Sequence, residues 1–508
     1  MSDPAEQPVM DRRLIHHAVA WQARTRPGAC ALVHAGERTG YAELDAAADA
    51  YAAELQRLGV GPGDLVPVLV RRSPELVAVL LAVLRCGAAY SALDHRWPAE
   101  RMLAVTAALR AELLVADRPL PGFAGRCWGP PAGGLAAAAR SGAVPEPVAV
   151  DPSSPAMVFF TSGTTGRPKG VLSPHRATTR LFAGRSFADF GRGRVMTQAA
   201  PVPWDAFALE LWGMLTTGGT SVIVPGDQLF PGELRELTAS AGVDTVWLTA
   251  SLFNLFVDED LDCFTGLRQV MTGGERLSVP HVRAFVERHP QIGLLNGYGP
   301  VESCVFATTR AVRPADCDAP HGIPVGRPAP GTAVHLLDGE RAVEGGTPGE
   351  ICLAGDGLAL GYLDNPAATA EKFVTVRLDG VPTPLYRTGD LGSQDDGGVL
   401  HYLGRADRQI KISGYRVEPA EIEQAALRLP GVRECAVLPV PDPSGAVDRL
   451  ALFYRGAAGC PPPAELQHAL AGELPHYMVP PTVRRLDALP RSANGKLDQP
   501  ALLAALEA

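Results

Sequence analysis

Lysine is nearly absent from this chain: of its 46 lysine and arginine residues only four, Lys169, Lys372, Lys411 and Lys496, are lysine. Where positive charge otherwise rides on arginine, each lysine marks a candidate place for a compact ammonium on a flexible stem, which a planar fork would not replace. Clusters of basic residues are missing as well. With a net charge of −9 and a pI near 5.8, the chain lacks the electrostatic footprint of sequence-independent nucleic-acid binding. No apolar stretch reaches bilayer-spanning length, and the N-terminal MSDPAEQPVMDRR has no apolar signal core. The expectation is a cytoplasmic protein with neither a nucleic-acid nor a membrane partner. Nine cysteines lie scattered from Cys30 to Cys460 without a CxxC pair or a histidine cluster. That argues for reduced structural thiols and against zinc, which demands clustered ligands.

What is present is an ordinary globular composition, 46% hydrophobic and 20% charged, over 508 residues, which is more than one core organises. Ala/Leu-rich helical periodicity alternates with short apolar runs through the first 150 residues. Ala42 to Leu58 and Pro74 to Arg85 read as helices, and Leu65 to Val70 and Leu113 to Val115 as strands. Such alternation implies parallel strands with crossover helices. Pro119 to Pro147, rich in Pro, Gly and Ala, reads as surface loop with a short helix. The pattern resumes with strands at Ser221 to Val224 and Thr245 to Leu248 and a helix at Val279 to Arg288. Beyond about Ala311, runs such as Ala333 to Leu337 and Gly349 to Leu353 give a β-rich subdomain. A boundary near Arg405 to Arg408 precedes a hairpin, Gln409 to Ile412 and Tyr415 to Val417, turning at Ser413 and Gly414. A helix at Pro419 to Leu427, strands at Glu434 to Val440 and Leu450 to Tyr454, and a helix near Pro463 to Leu474 complete a small α+β module.

The stretch around which the chain is organised is TSGTTGRPKG, Thr161 to Gly170, which follows the apolar run Met157 to Phe160. A buried strand entering such a loop suits an anion: Gly163 and Gly166 allow close backbone approach, Ser162, Thr164 and Thr165 offer hydroxyls, and Lys169 offers charge. It is not a Walker A loop, because Gly170 stands where that pattern needs Ser or Thr. A flexible linker is the bland alternative, but a linker needs neither the strand nor the lysine.

The loop has company. Upstream are TGYAEL (Thr39 to Leu44) and LRCGAAYSALD (Leu84 to Asp94). Downstream are NGYGPVES (Asn296 to Ser303), GEICLAGDGLALGYL (Gly349 to Leu363) and YRTGDL (Tyr386 to Leu391). GRADRQIKISGYRVEPAEIE (Gly404 to Glu423), LPHYMVP (Leu474 to Pro480) and NGKLD (Asn494 to Asp498) follow. In this order they resemble the core motifs of adenylate-forming enzymes, the ANL superfamily. They are most similar to the amino-acid-activating adenylation domains of nonribosomal peptide synthesis.

The resemblance implies an α/β fold: a large N-terminal domain over 1–406, built of αβ-layered subdomains plus a β-rich subdomain, and a small mobile α+β C-terminal domain over 407–508. It also implies ATP and Mg²⁺ as cofactors, with the acyl group passed to the phosphopantetheine of a carrier protein. Charge develops beside a triphosphate, so cations and oriented donors are required. By resemblance Thr161, Ser162, Gly163, Thr164, Thr165, Gly166 and Lys169 meet the phosphates, and Glu302 holds Mg²⁺. Gly273, Gly274, Glu275, Asn296, Gly297, Tyr298 and Gly299 would surround the nucleotide, with Asn296 and Tyr298 on adenine. Asp390 would accept the ribose hydroxyls, with Tyr402 and Arg405 nearby. Asp407 matches the hinge. Lys169 and Lys496 are the expected catalytic lysines, Lys496 reaching the active site in one arrangement of the small domain and the Ile412 to Tyr415 hairpin in the other. The chain departs from the family pattern at Val301, Leu360 and Ser413, where Thr, a basic residue and Arg are usual.

The acid's pocket, carried over position by position, is Asp205, Ala206, Leu209, Trp247, Met271, Gly273, Gly297, Val305, Phe306 and Lys496. Asp205 would bind an α-ammonium, and between Asp205 and Lys496 every position is apolar or small. A polar substrate side chain would be buried unpaired at a cost of about 1–3 kcal/mol or more. Valine or 2-aminobutyrate is the expected substrate, with Trp247 and Phe306 shortening the pocket. The chain ends soon after NGKLD and has no HHxxxDG motif, so a free-standing enzyme delivering to a carrier in trans is expected. The alternatives are a coenzyme A ligase for a small carboxylic acid and an inactive scaffold of the same fold.

Overall fold

The computed structural model describes residues 10–131, 133–162, 168–184, 187–343, 346–412, 414–441, 447–457, 459–491 and 497–506. Two parallel-rich sheets dominate the described residues. In the first, of six strands, the spatial order is Arg126–Trp128, Leu113–Ala116, Leu65–Leu69, Ala89–Ala92, Pro155–Thr161 and Lys169–Pro174. The second, of nine strands, runs from Arg327–Pro328 through Thr308–Ala311, Gly293–Tyr298, Gln269–Gly273, Thr245–Thr249, Val195–Gln198, Thr220–Ile223 and Cys30–His34 to the edge strand Glu37–Gly40.

Helix Pro74–Arg85 is placed by local chemistry: the Ser73 hydroxyl accepts from Leu76 N–H and Pro74 occupies the first turn, where a missing N–H costs nothing. Its nine residues from Leu76 to Leu84 are all buried, as befits a helix that is apolar all round. Helix Asp205–Thr217 is buried from Ala206 to Leu215 and ends on Gly218, whose φ of 90° supplies the left-handed C-cap. The two layers are tied by Trp212, whose indole N–H donates to the Tyr90 hydroxyl at 2.9 Å.

The β-rich subdomain is an antiparallel sheet in which the long strand Val381–Gln394 pairs with Gly349–Gly355, Phe373–Leu378 and Leu400–Arg405. Beyond it the hairpin Ile410–Ile412 and Tyr415–Val417 leads into helix Pro419–Leu427 and a three-stranded sheet, Val432–Pro441, Val447–Gly456 and Thr482–Arg485. Two hydrophobic clusters there, one around Val417, Ile422 and Tyr454 and one around Phe453 and Leu502, are drawn wholly from residues past 409.

One expectation is corrected. The stretch read as surface loop from Pro119 to Pro147 contains, besides its short helix Gly134–Arg140, a strand, Arg126–Trp128, paired in parallel with Leu113–Ala116. Edge pairing of three residues needs only backbone groups, so Pro and Gly on either side hide it. Among the described residues no helix is long and apolar enough to cross a membrane.

Candidate nucleotide and acid-binding site

The carboxyl ends of Pro155–Thr161, Gln269–Gly273 and Gly293–Tyr298 open on one cleft, the place where parallel sheets bind ligands. Strand Lys169–Pro174 folds back antiparallel on Pro155–Thr161, setting Lys169 opposite Thr161. The Lys169 ammonium stands 5.6 Å over the Tyr362 ring, and burial followed by repulsion from Arg416 lowers its pKa. Gly163, Thr164, Thr165 and Gly166, and likewise Ser413 and Lys496, lie outside the described residues.

The residues expected at the nucleotide converge. Asp390, 4% exposed, accepts from the Tyr298 hydroxyl at 2.6 Å and from the Arg405 guanidinium. A carboxylate has about four lone-pair sites, so each oxygen keeps capacity for a hydroxyl donor. Asn296 donates through Nδ2 to Pro324 O at 2.9 Å, and the Tyr402 ring lies 6.3 Å from that of Tyr298. Asn296, Gly297, Tyr298, Gly274, Glu275 and Tyr402 share one cavity with Asp390. The Asp407 carboxylate accepts from Arg405 at 2.6 and 2.8 Å and from Gln409 N–H. Burial pushes the Asp407 pKa up, but Arg405 outweighs it and holds the carboxyl below its ordinary value.

The acid pocket is built on two close approaches. A Cβ on Gly273 would sit 2.1 Å from Gly297 O, and a Cβ on Gly297 2.2 Å from the Phe306 ring, so both positions require glycine. Phe306 thus packs directly against Gly297 at the strand end. Asp205, Ala206, Trp247, Gly297, Val305 and Phe306 line one cavity, while Leu209 and Met271 are fully buried behind it and Gly273 is packed against Gly297. The Asp205 carboxylate accepts Val305 N–H at 2.9 Å; burial pushes its pKa up and that N–H partly offsets the push. Cys304 and Val305 have φ of 47° and 61°. For a β-branched residue this left-handed conformation is strained, and it persists because surrounding contacts over-determine it. Trp247 adds a buried indole N–H with no hydrogen-bond partner among the described residues, a polar atom that an apolar reading of the pocket overlooks.

The hairpin occupies the cleft. Gly414 N–H donates to Glu275 Oε1 at 2.8 Å, and Glu275 Oε2 accepts from Ser251. Tyr415 stacks on Tyr477 at 3.7 Å and meets Trp204 edge-on at 4.2 Å. Ser162, expected at phosphate, donates its hydroxyl to Arg416 O at 2.8 Å. Farther out, Arg101 and Glu421 form a buried ion pair at 2.9 Å between the large part and the hairpin's own module. Gly414, Tyr415 and Arg416 thus line the cleft.

Glu302 is fully buried and accepts from the Tyr362 hydroxyl at 2.8 Å and from Arg416 Nη1 at 2.8 and 3.0 Å. Burial alone would raise its pKa; the charge of Arg416 and the Tyr362 hydroxyl hold it below the usual carboxylate range. An ionised hard oxygen donor fits Mg²⁺, which is commonly held by one or two carboxylates with substrate phosphates supplying the rest. The described residues contain no cluster of three or more His, Cys, Asp or Glu able to hold a metal. Arg416, Tyr362, Trp204, Tyr477 and the Arg101–Glu421 pair were not singled out from the sequence. Arg416 and Tyr477 at least sit inside quoted motifs, whereas Arg101 carries no local signal.

Comparison with known proteins identifies the family. The model of the AMP-binding enzyme family matches residues 19–363, and that of the AMP-binding enzyme C-terminal domain matches 421–496. A linear gramicidin synthase polypeptide of Brevibacillus parabrevis is 38% identical over 497 residues, covering 96% of this chain and 6% of its own length. This chain therefore spans a small part of that relative. Among solved structures, PA1221, described as a nonribosomal peptide synthetase protein containing adenylation and PCP domains, superposes with a TM-score of 0.85 at 35% identity over 99% of both chains. Its holo form bound to a vinylsulfonamide inhibitor gives a TM-score of 0.88 at 36% identity, covering 98% of this chain and 85% of the other.

Proposed function

We propose that this chain, which belongs to the AMP-binding enzyme family and is an adenylate-forming ligase of the nonribosomal-peptide adenylation type, activates a small aliphatic L-amino acid, valine or 2-aminobutyrate. The observation that carries the reading is the Asp205 carboxylate, which accepts Val305 N–H beside Ala206, Trp247, Gly297, Val305 and Phe306 in a cavity that Asp390, Arg405, Lys411 and Arg416 also line. An ammonium placed against Asp205 offsets the burial that raises its pKa, and an apolar side chain suits the walls of Ala206, Val305 and Phe306, while the Trp247 indole N–H stays without a partner among the described residues.

The roles of the other residues are those that the family resemblance implies. Asp390 takes the ribose hydroxyls, and Tyr298 is held by it in position to face adenine. Glu302 would hold Mg²⁺, which when bound shields the phosphate charge that an incoming carboxylate must approach. Lys169 and Lys496 supply ammonium charge to the triphosphate side and to the reacting carboxylate. Large and small domains, 1–406 and 407–508, pivot near Asp407, and breaking the Arg405 to Asp407 contact is part of the work of that motion. With the hairpin in the cleft, Gly414 and Tyr415 border the path of a carrier's phosphopantetheine thiol to the aminoacyl adenylate. Pyrophosphate exchange with L-valine and with isobutyrate tests the reading: exchange should require the α-amine. Equal exchange with isobutyrate would instead identify a ligase for simple carboxylic acids.

A further inference from the structure

Behind the acid pocket sits a buried cation that no step above uses. Arg180 is 6% exposed and forms no side-chain ion pair among the described residues; both Nη groups donate to backbone carbonyls, while Nε has no hydrogen-bond partner among the described residues. Nη2 donates to Ser303 O at 2.7 Å and Phe306 O at 3.0 Å, with Cys304 O at 3.5 Å, and Nη1 donates to Pro330 O at 3.0 Å. Burial without a partner carboxylate pushes its pKa down to about 10. Gly357 faces the guanidinium so closely that a Cβ there would lie 2.5 Å from Nε and Nη2.

The carbonyls that Nη2 gathers belong to one turn, which holds the strained Cys304 and Val305, and Nη1 ties that turn to Pro330. From it Val305 and Phe306 wall the acid's cavity, and Val305 N–H orients Asp205. A backbone held at positive φ by surrounding contacts relaxes when those contacts go. Here the contacts are the guanidinium's donors, and burying the carbonyls without them leaves them unsatisfied.

We propose that Arg180 is a positioning residue for substrate selectivity, fixing the 303–306 turn so that Val305, Phe306 and Asp205 present one pocket depth and one ammonium site. This rests on the reading of the pocket as an amino-acid site. Arg180 itself touches neither nucleotide nor acid.

The test compares Arg180→Met, Arg180→Lys and the parent by pyrophosphate exchange with L-valine and L-leucine, and by amide hydrogen exchange across 301–308. Arg180→Met should raise KM for valine by tenfold or more, leave KM for ATP within about twofold, and shrink the valine-to-leucine preference; Arg180→Lys should recover part of that preference. Val305 N–H should lose protection in Arg180→Met. Should that variant fail to fold, Gly357→Ala, which presses a methyl onto the guanidinium, must shift the preference in the same direction. An unchanged preference with kcat lowered alike for both acids, or a parallel rise in KM for ATP, overturns the proposal. If the parent exchanges with no amino acid, the functional reading falls instead. In that case hydrogen exchange alone decides whether Arg180 holds the turn, and unaltered Val305 protection refutes it.

Discussion

Replacing Gly414 by alanine should separate the two half-reactions, because its effect depends on where the hairpin is. Gly414 has φ of 84°, and a Cβ built there lies 2.5 Å from Thr249 Cγ2 and 3.2 Å from Trp204 Cη2. The left-handed backbone costs alanine about 1–2 kcal/mol, but that cost travels with the turn and cancels between arrangements of the small domain. The clash does not cancel, since it exists only with the hairpin in the cleft against Thr249 and Trp204. Overpacking of this kind costs about 1–3 kcal/mol, which lowers the population of the hairpin-in arrangement by roughly 5- to 150-fold. Single-turnover transfer from a preformed aminoacyl adenylate to a carrier thiol should slow by that factor, while pyrophosphate exchange stays near the parent rate. Thr249→Ser removes the clashing methyl but keeps the hydroxyl that accepts Leu252 N–H at 3.2 Å, so it should restore transfer to the Gly414→Ala enzyme. Equal slowing of both half-reactions, or no rescue by Thr249→Ser, would refute the reasoning.

Asp205→Ala should abolish amino-acid activation with ATP binding nearly intact, since it leaves the substrate ammonium buried and unpaired at about 3–5 kcal/mol; unchanged valine-dependent exchange would remove Asp205 from the site. Lys496→Ala should slow adenylate formation by roughly 10²–10³-fold yet spare transfer from a preformed adenylate, as rapid-quench assays of each step would reveal. The buried His175, whose pKa burial and then His17 push down to about 3, stays neutral in the fold while the unfolded chain binds a proton below about pH 6.5. The unfolded state then holds more protons, so stability present above pH 6.5 is lost towards pH 3 at about 1.4 kcal/mol per pH unit from this group. His175→Asn, which keeps an acceptor for Ile15 N–H, should flatten the fall in melting temperature between pH 6.5 and 5.

Much of the fold was legible because its signals are local. Pro74–Arg85 begins at a Ser-Pro cap and ends before Cys86 and Gly87, and Val279–Arg288 and Pro419–Leu427 likewise carry Pro in the first turn. The strand at Arg126–Trp128 was not legible, since its pairing depends on a neighbour and its own residues carry no alternation. The site divides in the same way. Tyr298 and Asp390 stand inside motifs and Asp205 at a carried-over pocket position, and they meet in the cleft, but their partners are fixed by tertiary contact. Glu302 and Arg416 are 114 residues apart, and Arg180 meets Phe306 across 126. No spacing rule links such pairs, and the positive φ at Val305 is a response to packing that sequence periodicity does not encode.

The claim on which the account turns is that an ammonium site and a short apolar cavity together select the substrate. Pyrophosphate exchange with a panel of valine, 2-aminobutyrate, threonine, phenylalanine and glutamate measures it most directly. An apolar pocket distinguishes one methylene by only about 1–3 kcal/mol, so valine and 2-aminobutyrate should both react, while phenylalanine is blocked by Phe306 and Trp247 and glutamate by the apolar walls of Ala206, Val305 and Phe306. Phenylalanine or glutamate turning over as fast as valine would contradict it.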